Sequence, residues 1–219
     1  MSRPTQHSIT CRGCGWQQDF TTWESLNVTL DPDRKQELIE GTLTRFVCEK
    51  CTWSTEVVYP LLYHDMTGRF MVWLVPDGSD VETGAMPLHG KMPGYRLRWV
   101  RDRNELIEKV LIFDRELDDR LVEVFKALVR MRLAEEQPGE AGQVLFLDVA
   151  EDENGPRAMQ FEYLTAEGPR GFSVDWETFA EMSREAGPKL PPVEAESGQW
   201  LKVDAAYAFD LLNGAAPPE

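Results

Sequence analysis

This 219-residue chain contains two identically spaced pairs of cysteines, and these four residues are its strongest candidates for a chemical role. Cys11 and Cys14 form the first Cys-x-x-Cys pair, Cys48 and Cys51 form the second, and 33 residues separate the two pairs. A Cys-x-x-Cys turn presents two sulfur atoms together, and four thiolates at tetrahedral positions are a preferred zinc environment. Because the chain has no other cysteine, the spacing predicts that all four bind one shared metal ion.

The four-thiolate set leaves the identity of the metal open, since iron accepts the same ligands as zinc. Zinc is the main expectation, and a rubredoxin-like iron site is the alternative that the nearby aromatic residues favour. Gly15 follows the first pair and suits a left-handed turn, but Thr52 stands at the equivalent place and resists positive φ. Trp16 and Trp53 follow the pairs at matching positions, and each is expected to cover its own turn.

The predicted site favours a structural role over catalysis, because four protein ligands leave no position for water or substrate. A thioredoxin-like redox pair is disfavoured, since neither Cys-x-x-Cys opens a helix after a buried strand. No catalytic residues are assigned: His7 and His89 are expected on the surface, and His64 and Asp65 point to opposite faces of an extended segment. A non-enzymatic function is therefore expected.

Further patterns indicate the elements that position the cysteines. Strand-like residues surround both pairs, and a helix with Asp31 as its cap, Pro32 at its first position and Gly41 at its end separates them. Residues 68–76 predict a buried strand, and residues 77–94 a long surface loop. The second half predicts helices at 104–113 and 117–136 that form a hairpin, then a β-hairpin turning at 153–155, a helix capped by Asp175 and a last helix capped by Asp204. The helix at 117–136 has apolar residues at helical spacing that predict its core-facing side: Leu117, Leu121, Val124, Phe125 and Leu128.

On these residues the chain resembles the bacterial CpXC proteins, named for paired Cys-Pro-x-Cys motifs. The resemblance rests on the two cysteine pairs, on "SLNVTLDPDRKQELIEGTLTRFVCEKC", on "YPLLYHD" and on "YRLRWV" followed by "LIEKVLIFDRELDDRLVEVFK", and covers about residues 8–130. It implies that Cys11, Cys14, Cys48 and Cys51 are the metal ligands. The chain departs from the family motif at Arg12 and Glu49, where the family has proline.

The fold class expected from these patterns is α+β: a zinc-ribbon or rubredoxin-like β domain with a helical insert and a helical hairpin, followed by a small α+β module. The predicted division places the ribbon domain at 1–136, a linker at 137–142, the C-terminal module at 143–214 and a frayed tail at 215–219.

The net charge of −15 disfavours direct nucleic-acid binding, which depends on cationic contacts. Residues 1–55 carry six Lys/Arg and seven Asp/Glu, so nucleic-acid or transcription-machinery binding through the ribbon stays an alternative. A protein partner is the main expectation. No stretch suits a membrane span or a signal peptide, so a cytoplasmic location and reduced thiols are expected.

Overall fold

The computed structural model describes residues 1–79, 92–136, 142–190 and 198–214, and its architecture is mixed α+β, as predicted. Two compact units make up the chain, Met1–Ile107 and Glu108–Glu219. The division between the two units falls inside a helix. The predicted linker and the predicted frayed tail lie almost entirely outside the described residues. Among the described helices, none is long and apolar enough to cross a bilayer.

The first unit is built mainly from strands. Its elements in chain order are β1 (Arg3–Thr10), β2 (Gln17–Asn27), α1 (Asp33–Glu40), β3 (Arg45–Val47), β4 (Ser54–Glu56), β5 (Leu61–Asp65), β6 (Phe70–Leu74), β7 (Arg96–Val100) and the first part of α2 (Arg103–Asp114). Strands β1, β2, β5, β6 and β7 form a sheet in that order, while β3 and β4 pair separately.

The pairing within this sheet is mixed. Strands β1 and β2 are antiparallel, β2 and β5 are parallel, β5 and β6 are antiparallel, and β6 and β7 are parallel. All five residues of β6 are buried, which confirms the buried strand predicted from its continuous apolar run. Of the predicted loop at 77–94, residues 80–91 lie outside the described part of the chain.

Helix α1, which separates the two cysteine pairs, begins differently from the prediction and ends as predicted. Asp31 does not cap it: the cap position is Pro32, without a side-chain hydrogen bond, and the Asp31 carboxylate instead accepts from the Ser2 hydroxyl. The sequence could not show this, because Ser2 lies on a distant part of the chain. At the other end, Gly41 adopts a φ of 76° and its N–H donates to the Leu38 carbonyl, so the predicted glycine stop is confirmed.

A cation from helix α2 completes the C-terminus of α1. The Arg103 guanidinium donates to the carbonyl oxygens of Leu38 and Ile39 at 2.7 and 3.1 Å. A side chain at Gly41 would meet it, because an added Cβ would lie 2.8 Å from a guanidinium nitrogen. Positive charge at a helix C-terminus also complements the helix dipole.

Arg103→Leu is therefore expected to lower the unfolding free energy by about 1–3 kcal/mol, the usual loss for charge-assisted hydrogen bonds. Arg3→Leu is the matched control: its ion pair is with Glu24, and the two side chains are 73% and 58% exposed, and exposed pairs contribute less than about 1 kcal/mol. Urea denaturation of the purified chain measures both. Equal losses in the two variants would contradict the capping role.

The second unit combines a three-stranded antiparallel sheet with helices. After the end of α2, its elements are α3 (Asp119–Glu136), β8 (Gln143–Asp152), β9 (Gly155–Thr165), β10 (Gly168–Asp175), α4 (Trp176–Ala186), a 3₁₀ turn (Gly187–Lys189), β11 (Trp200–Leu201) and α5 (Ala205–Leu212). The sheet order is β10-β9-β8. The helix caps predicted at Asp175 and Asp204 are confirmed by hydrogen bonds to the first turns of α4 and α5.

Strand β10 was not predicted. Most of its residues are exposed, so its sequence carries little of the alternating apolar signal that identifies a strand. Its clearest packing contact is Phe172, which stacks on Phe161 of β9 with ring centroids 5.4 Å apart. The predicted hairpin is therefore two strands of a three-stranded meander.

Helix α3 is buried along a different face from the predicted apolar stripe. Val124 and Phe125 are buried as predicted, but Leu128, which the pattern also placed on the core side, is 38% exposed. Glu123 and Lys126 are buried instead. The pattern failed because it assigns charged residues to solvent, whereas here they pair with charged residues of α2.

These charges form a cluster inside the second unit, which we call the buried ion cluster: Glu108, Lys109, Asp119, Glu123 and Lys126. The Lys126 ammonium lies 2.7 Å from a Glu108 oxygen and 3.0 Å from Glu123. The Lys109 ammonium lies 3.1 Å from Glu123 and 3.3 Å from Asp119. Glu108 also accepts the backbone N–H of Phe146 at 2.6 Å, so the cluster joins α2 and α3 to β8.

The titration of the cluster follows from burial and pairing together. Burial alone lowers the pKa of Lys109 and Lys126, but the adjacent carboxylates outweigh it, and both pKa values lie above the usual lysine range. Burial raises the pKa of Glu108 more than Lys126 lowers it. For Glu123 the two ammonium groups outweigh burial, and its pKa is lowered. Both lysines are therefore charged at neutral pH and must stay paired.

Candidate metal centre

Two turns of the same backbone design present the four cysteines. The first knuckle (Cys11–Trp16) joins β1 to β2, and the second (Cys48–Trp53) joins β3 to β4. In each, the first cysteine donates its N–H to the tryptophan carbonyl at 2.8 Å and accepts at 2.9 Å the N–H of the residue four positions later. Two hairpins that are separate in sequence therefore present their cysteines through equivalent turns.

The sulfur atoms of the two knuckles meet in space. Cys11 Sγ lies 3.6 Å from Cys51 Sγ, and Cys14 Sγ lies 3.6 Å from Cys48 Sγ. All four sulfur atoms lie within 4.8 Å of one another, so the structure brings together all four residues predicted from the sequence as a possible metal site. A regular tetrahedron with metal–sulfur bonds of about 2.3 Å has sulfur–sulfur edges of about 3.8 Å. The observed separations fit that size.

The two knuckles share a left-handed residue despite their different sequences. Gly15 has a φ of 73°, and Thr52, at the equivalent place, has a φ of 60°. Thr52 therefore adopts the left-handed conformation even though a β-branched residue resists positive φ. The knuckle geometry holds Thr52 in a conformation that threonine disfavours, and such strain persists only where the surrounding structure imposes it.

The cluster has a buried and an exposed side. Cys11 and Cys48 are each 1% exposed and pack with Phe46, whereas Cys14 and Cys51 are exposed. Trp53 packs against this small core, as predicted for a side chain that covers the site. Trp16 does not: it is 45% exposed and lies under the Lys50 ammonium, 5.3 Å from the ring centroid.

Two residues that support the site were not identified from the sequence. Gly13, inside the first pair, donates its N–H to Cys11 Sγ at 3.3 Å, and a Cβ there would lie 3.1 Å from the Cβ of Trp53. Gln18 of β2 donates to the Val47 carbonyl at 3.0 Å and accepts the Glu49 N–H at 2.9 Å, which links the two hairpins. The glycine between Cys11 and Cys14 could have indicated a close approach to the backbone there, whereas no local sequence pattern identifies Gln18 as a residue that links the hairpins.

The thiol environments show why a cation suits the cluster. Burial opposes ionisation of Cys48, but backbone N–H groups and neighbouring thiols outweigh it and lower the pKa of Cys48 to about 7. The amide of Trp53 favours the Cys51 thiolate, yet hydrogen bonds with the other thiols and burial raise the pKa of Cys51 to about 12. Cys48 thus ionises more readily than an ordinary thiol and Cys51 less readily, and a positive charge among the sulfurs would favour the thiolate form.

The histidines lie apart from this centre. His64, in β5, has its Nε2 3.4 Å from the Tyr95 hydroxyl, and burial lowers the pKa of its imidazole. Asp65 has different partners, accepting the Gly68 N–H at 2.8 Å, which agrees with the expectation that the two neighbours do not pair. His7 is exposed in β1, and His89 lies outside the described residues.

The fold and the site define this chain as a mixed α+β protein with a four-cysteine cluster that could hold a metal ion. The chain belongs to the CpXC family: the family model, described as CpXC protein, matches residues 9–126, more than half of its length. The match includes all four cysteines and confirms the resemblance found in the sequence. No curated protein and no solved structure matches the chain significantly.

Proposed function

We propose that this chain is a zinc-binding, non-enzymatic interaction protein whose four cysteines hold one structural zinc ion in a zinc-ribbon-like site. The observation that carries the proposal is the cross-knuckle sulfur separation of 3.6 Å, close to the edge of a zinc–thiolate tetrahedron. Cys11, Cys14, Cys48 and Cys51 fill all four positions of such a site. The ion would link the two knuckles through its bonds to the four thiolates, and it would have no open coordination position for a substrate.

The role of the ion in this proposal is to join two hairpins that have little core of their own. Between the knuckles, the small core consists of Cys11, Phe46 and Cys48 with a few half-buried neighbours. A structural metal commonly stabilises units that bury too little apolar surface. Because thiolate ligands must stay reduced, we further propose that the chain works in a reducing compartment such as the cytoplasm.

A protein partner fits this proposal better than a nucleic acid. Exposed Trp16 with Lys50 is a local pair that could stack on a base, which keeps nucleic-acid or transcription-machinery binding as the alternative. The whole-chain charge of −15 opposes phosphate contacts. Salt-dependent binding of the full chain to RNA or DNA would favour the alternative over the proposal.

Metal analysis of the purified chain tests the identity of the ion. We expect one zinc ion per chain and no visible absorption band, because zinc has a filled d shell. A reddish protein with one iron per chain would instead support an electron carrier. Lys50→Ser, a change inside the second knuckle that spares every cysteine, should keep the full metal content, whereas Cys51→Ser should not.

Enzymatic turnover is the result that would overturn the non-enzymatic part of the proposal. A zinc-loaded chain that converts a substrate in proportion to its concentration, and loses that activity on substitution of a described polar residue, would contradict it. If the chain shows no turnover and a cysteine variant loses its metal ion, the proposed structural role of the ion stands.

A further inference from the structure

A groove lies beside the cysteine cluster in the first unit. Two cavities of about 490 and 310 Å³ share Ile9 of β1 and Val57, just after β4, in their walls. The larger extends to Trp23 and Tyr59, and the smaller extends to Val58. We call the two cavities together the β1–β4 groove. Cavities of about 300–1,000 Å³ are large enough for ligand groups or side chains.

One wall of the groove ends in the free edge of β1. Cys11 donates its N–H towards β2, to the Trp16 carbonyl, and antiparallel strands alternate between inward and outward backbone groups. The backbone groups of Gln6, Ser8 and Thr10 therefore face away from β2. All three residues are exposed, and within the described chain β2 is the partner strand of β1.

The opposite wall has a free edge as well. Val57 donates its N–H to the Thr44 carbonyl at 2.8 Å, so the same alternation turns the backbone groups of Ser54, Glu56 and Val58 away from β3. All three of these residues are exposed, and Val58 is 60% exposed. Within the two-stranded sheet that the structure describes, β4 pairs with β3 alone.

Unpaired backbone groups beside an apolar cavity specify the chemistry of the occupant. An extended peptide satisfies such groups by adding a strand, and its alternate side chains enter the cavity. The shared floor, Ile9 and Val57, is apolar. Arg12 lines the smaller cavity and has no ion pair within the described chain, whereas Glu56 on the other wall pairs with Arg103 at 3.6 Å. The uncompensated charge at the groove is positive.

We propose that the β1–β4 groove binds an extended, mainly apolar segment of a partner protein, which adds a strand to the edge of β1 and places an acidic side chain near Arg12. The proposal rests on the interaction function proposed above and names its surface and the class of its partner.

The cysteine centre supports the floor of this groove. Ile9, Trp53 and Val57 all pack against the core formed by Cys11, Phe46 and Cys48. A change at the cysteines therefore displaces the residues that line both cavities. Peptide binding should consequently depend on the metal, although the peptide contacts none of the sulfur atoms.

Selection from a library of short random peptides tests the proposal on the zinc-loaded full chain. We expect enrichment of alternating apolar residues with an Asp or Glu, and slower hydrogen exchange at the amides of Gln6, Ser8 and Thr10 when a selected peptide is bound. Ser8→Pro removes one outward N–H and should weaken binding roughly tenfold, the effect of one lost hydrogen bond. Ser8→Ala keeps that N–H and should bind normally.

Side-chain variants give an independent readout. Val58→Lys should abolish binding, whereas Val47→Lys, at a valine that is also exposed but outside the groove, should not. Arg12→Glu should change the selected peptides from acidic to basic. Each variant must retain the zinc content of the parent chain, which separates a loss of the groove from a loss of the metal site.

Several outcomes would overturn the groove proposal. They are the absence of enriched peptides, equal effects of Val58→Lys and Val47→Lys, protection of amides elsewhere, or a concentration-dependent dimer that itself protects Gln6, Ser8 and Thr10. Peptides that bind another surface of the zinc-loaded chain would reject the groove but leave the interaction function standing. Enzymatic turnover would reject the interaction function independently of the peptide result.

Discussion

Replacing Cys48 with serine is expected to unfold the region around both knuckles rather than to remove a single local contact. Cys48 is 1% exposed, lies within 3.6 Å of Cys14 through its sulfur, and shares its small core with Cys11 and Phe46. Structural zinc contributes about 10–16 kcal/mol in small zinc domains. Whole domains have a net stability of about 5–15 kcal/mol, so loss of the proposed zinc ion would be enough to unfold the region.

Hydrogen exchange of the full chain measures this effect region by region. In Cys48→Ser we expect amides of β1–β4 to lose protection, together with a loss of the bound metal, while amides of β8 and β9 keep theirs. Lys50→Ser is the matched control, because it places the same residue in the same turn without removing a ligand. It should change neither protection nor metal content.

Chelation separates the ligand role of Cys48 from its packing role. Removing the metal from the unmodified chain should expose the same amides as Cys48→Ser, and adding zinc back should restore protection in the unmodified chain alone. If Cys48→Ser keeps its metal, or if chelation leaves β1–β4 protected, the proposed structural role of the ion is contradicted.

The cysteine cluster was predictable because each knuckle is encoded by neighbouring residues. The spacing of Cys11 with Cys14, and of Cys48 with Cys51, fixes two sulfur atoms per turn, and pairing of the flanking strands then needs only to bring two turns together. The conformation of Thr52 is harder to predict from the same local information. Its left-handed φ of 60° is imposed by the turn, against the preference of threonine itself.

The support of the site and the core of the second unit were less predictable, because both depend on contacts between distant residues. Gln18 joins the hairpins through Val47 and Glu49, about thirty residues away, and no local pattern distinguishes it from the other polar residues of its strand. Likewise, the sequence predicts that Lys126 of α3 faces solvent, and only its contact with Glu108 in the structure explains why it is buried. Periodicity identifies a helix correctly but assigns its faces from hydrophobicity alone.

The buried ion cluster gives the second prediction with a large effect: Lys126→Met should destabilise the chain by about 3–5 kcal/mol, the usual loss on breaking a buried ion pair. The substitution removes the ammonium shared by Glu108 and Glu123, whose side chains are 3% and 5% exposed. Lys109 then remains as the one ammonium within the five-residue cluster. Methionine keeps most of the side-chain volume, so the loss reports charge rather than a cavity.

An exposed ion pair of the same unit provides the control. Arg115 lies 2.6 Å from Asp148, but the two side chains are 36% and 47% exposed. Arg115→Met should therefore cost less than about 1 kcal/mol, because solvent screens exposed pairs. Urea denaturation, followed by hydrogen exchange at amides of α3 and β8, measures both variants under the same conditions.

A double-mutant cycle then decides whether the cost comes from an uncompensated charge. Glu108→Gln keeps an oxygen that can accept the Phe146 N–H, which Glu108 now accepts at 2.6 Å, but removes the negative charge. Combined with Lys126→Met, it should recover a substantial part of the lost stability, because both members of the pair are then neutral. Additive losses in the double variant would show that the two side chains act separately. A strongly coupled result would establish that the ion cluster stabilises the second unit only as long as each buried carboxylate keeps its cation. This pairing is the physical reason why a helix with so many charged residues can form part of a core.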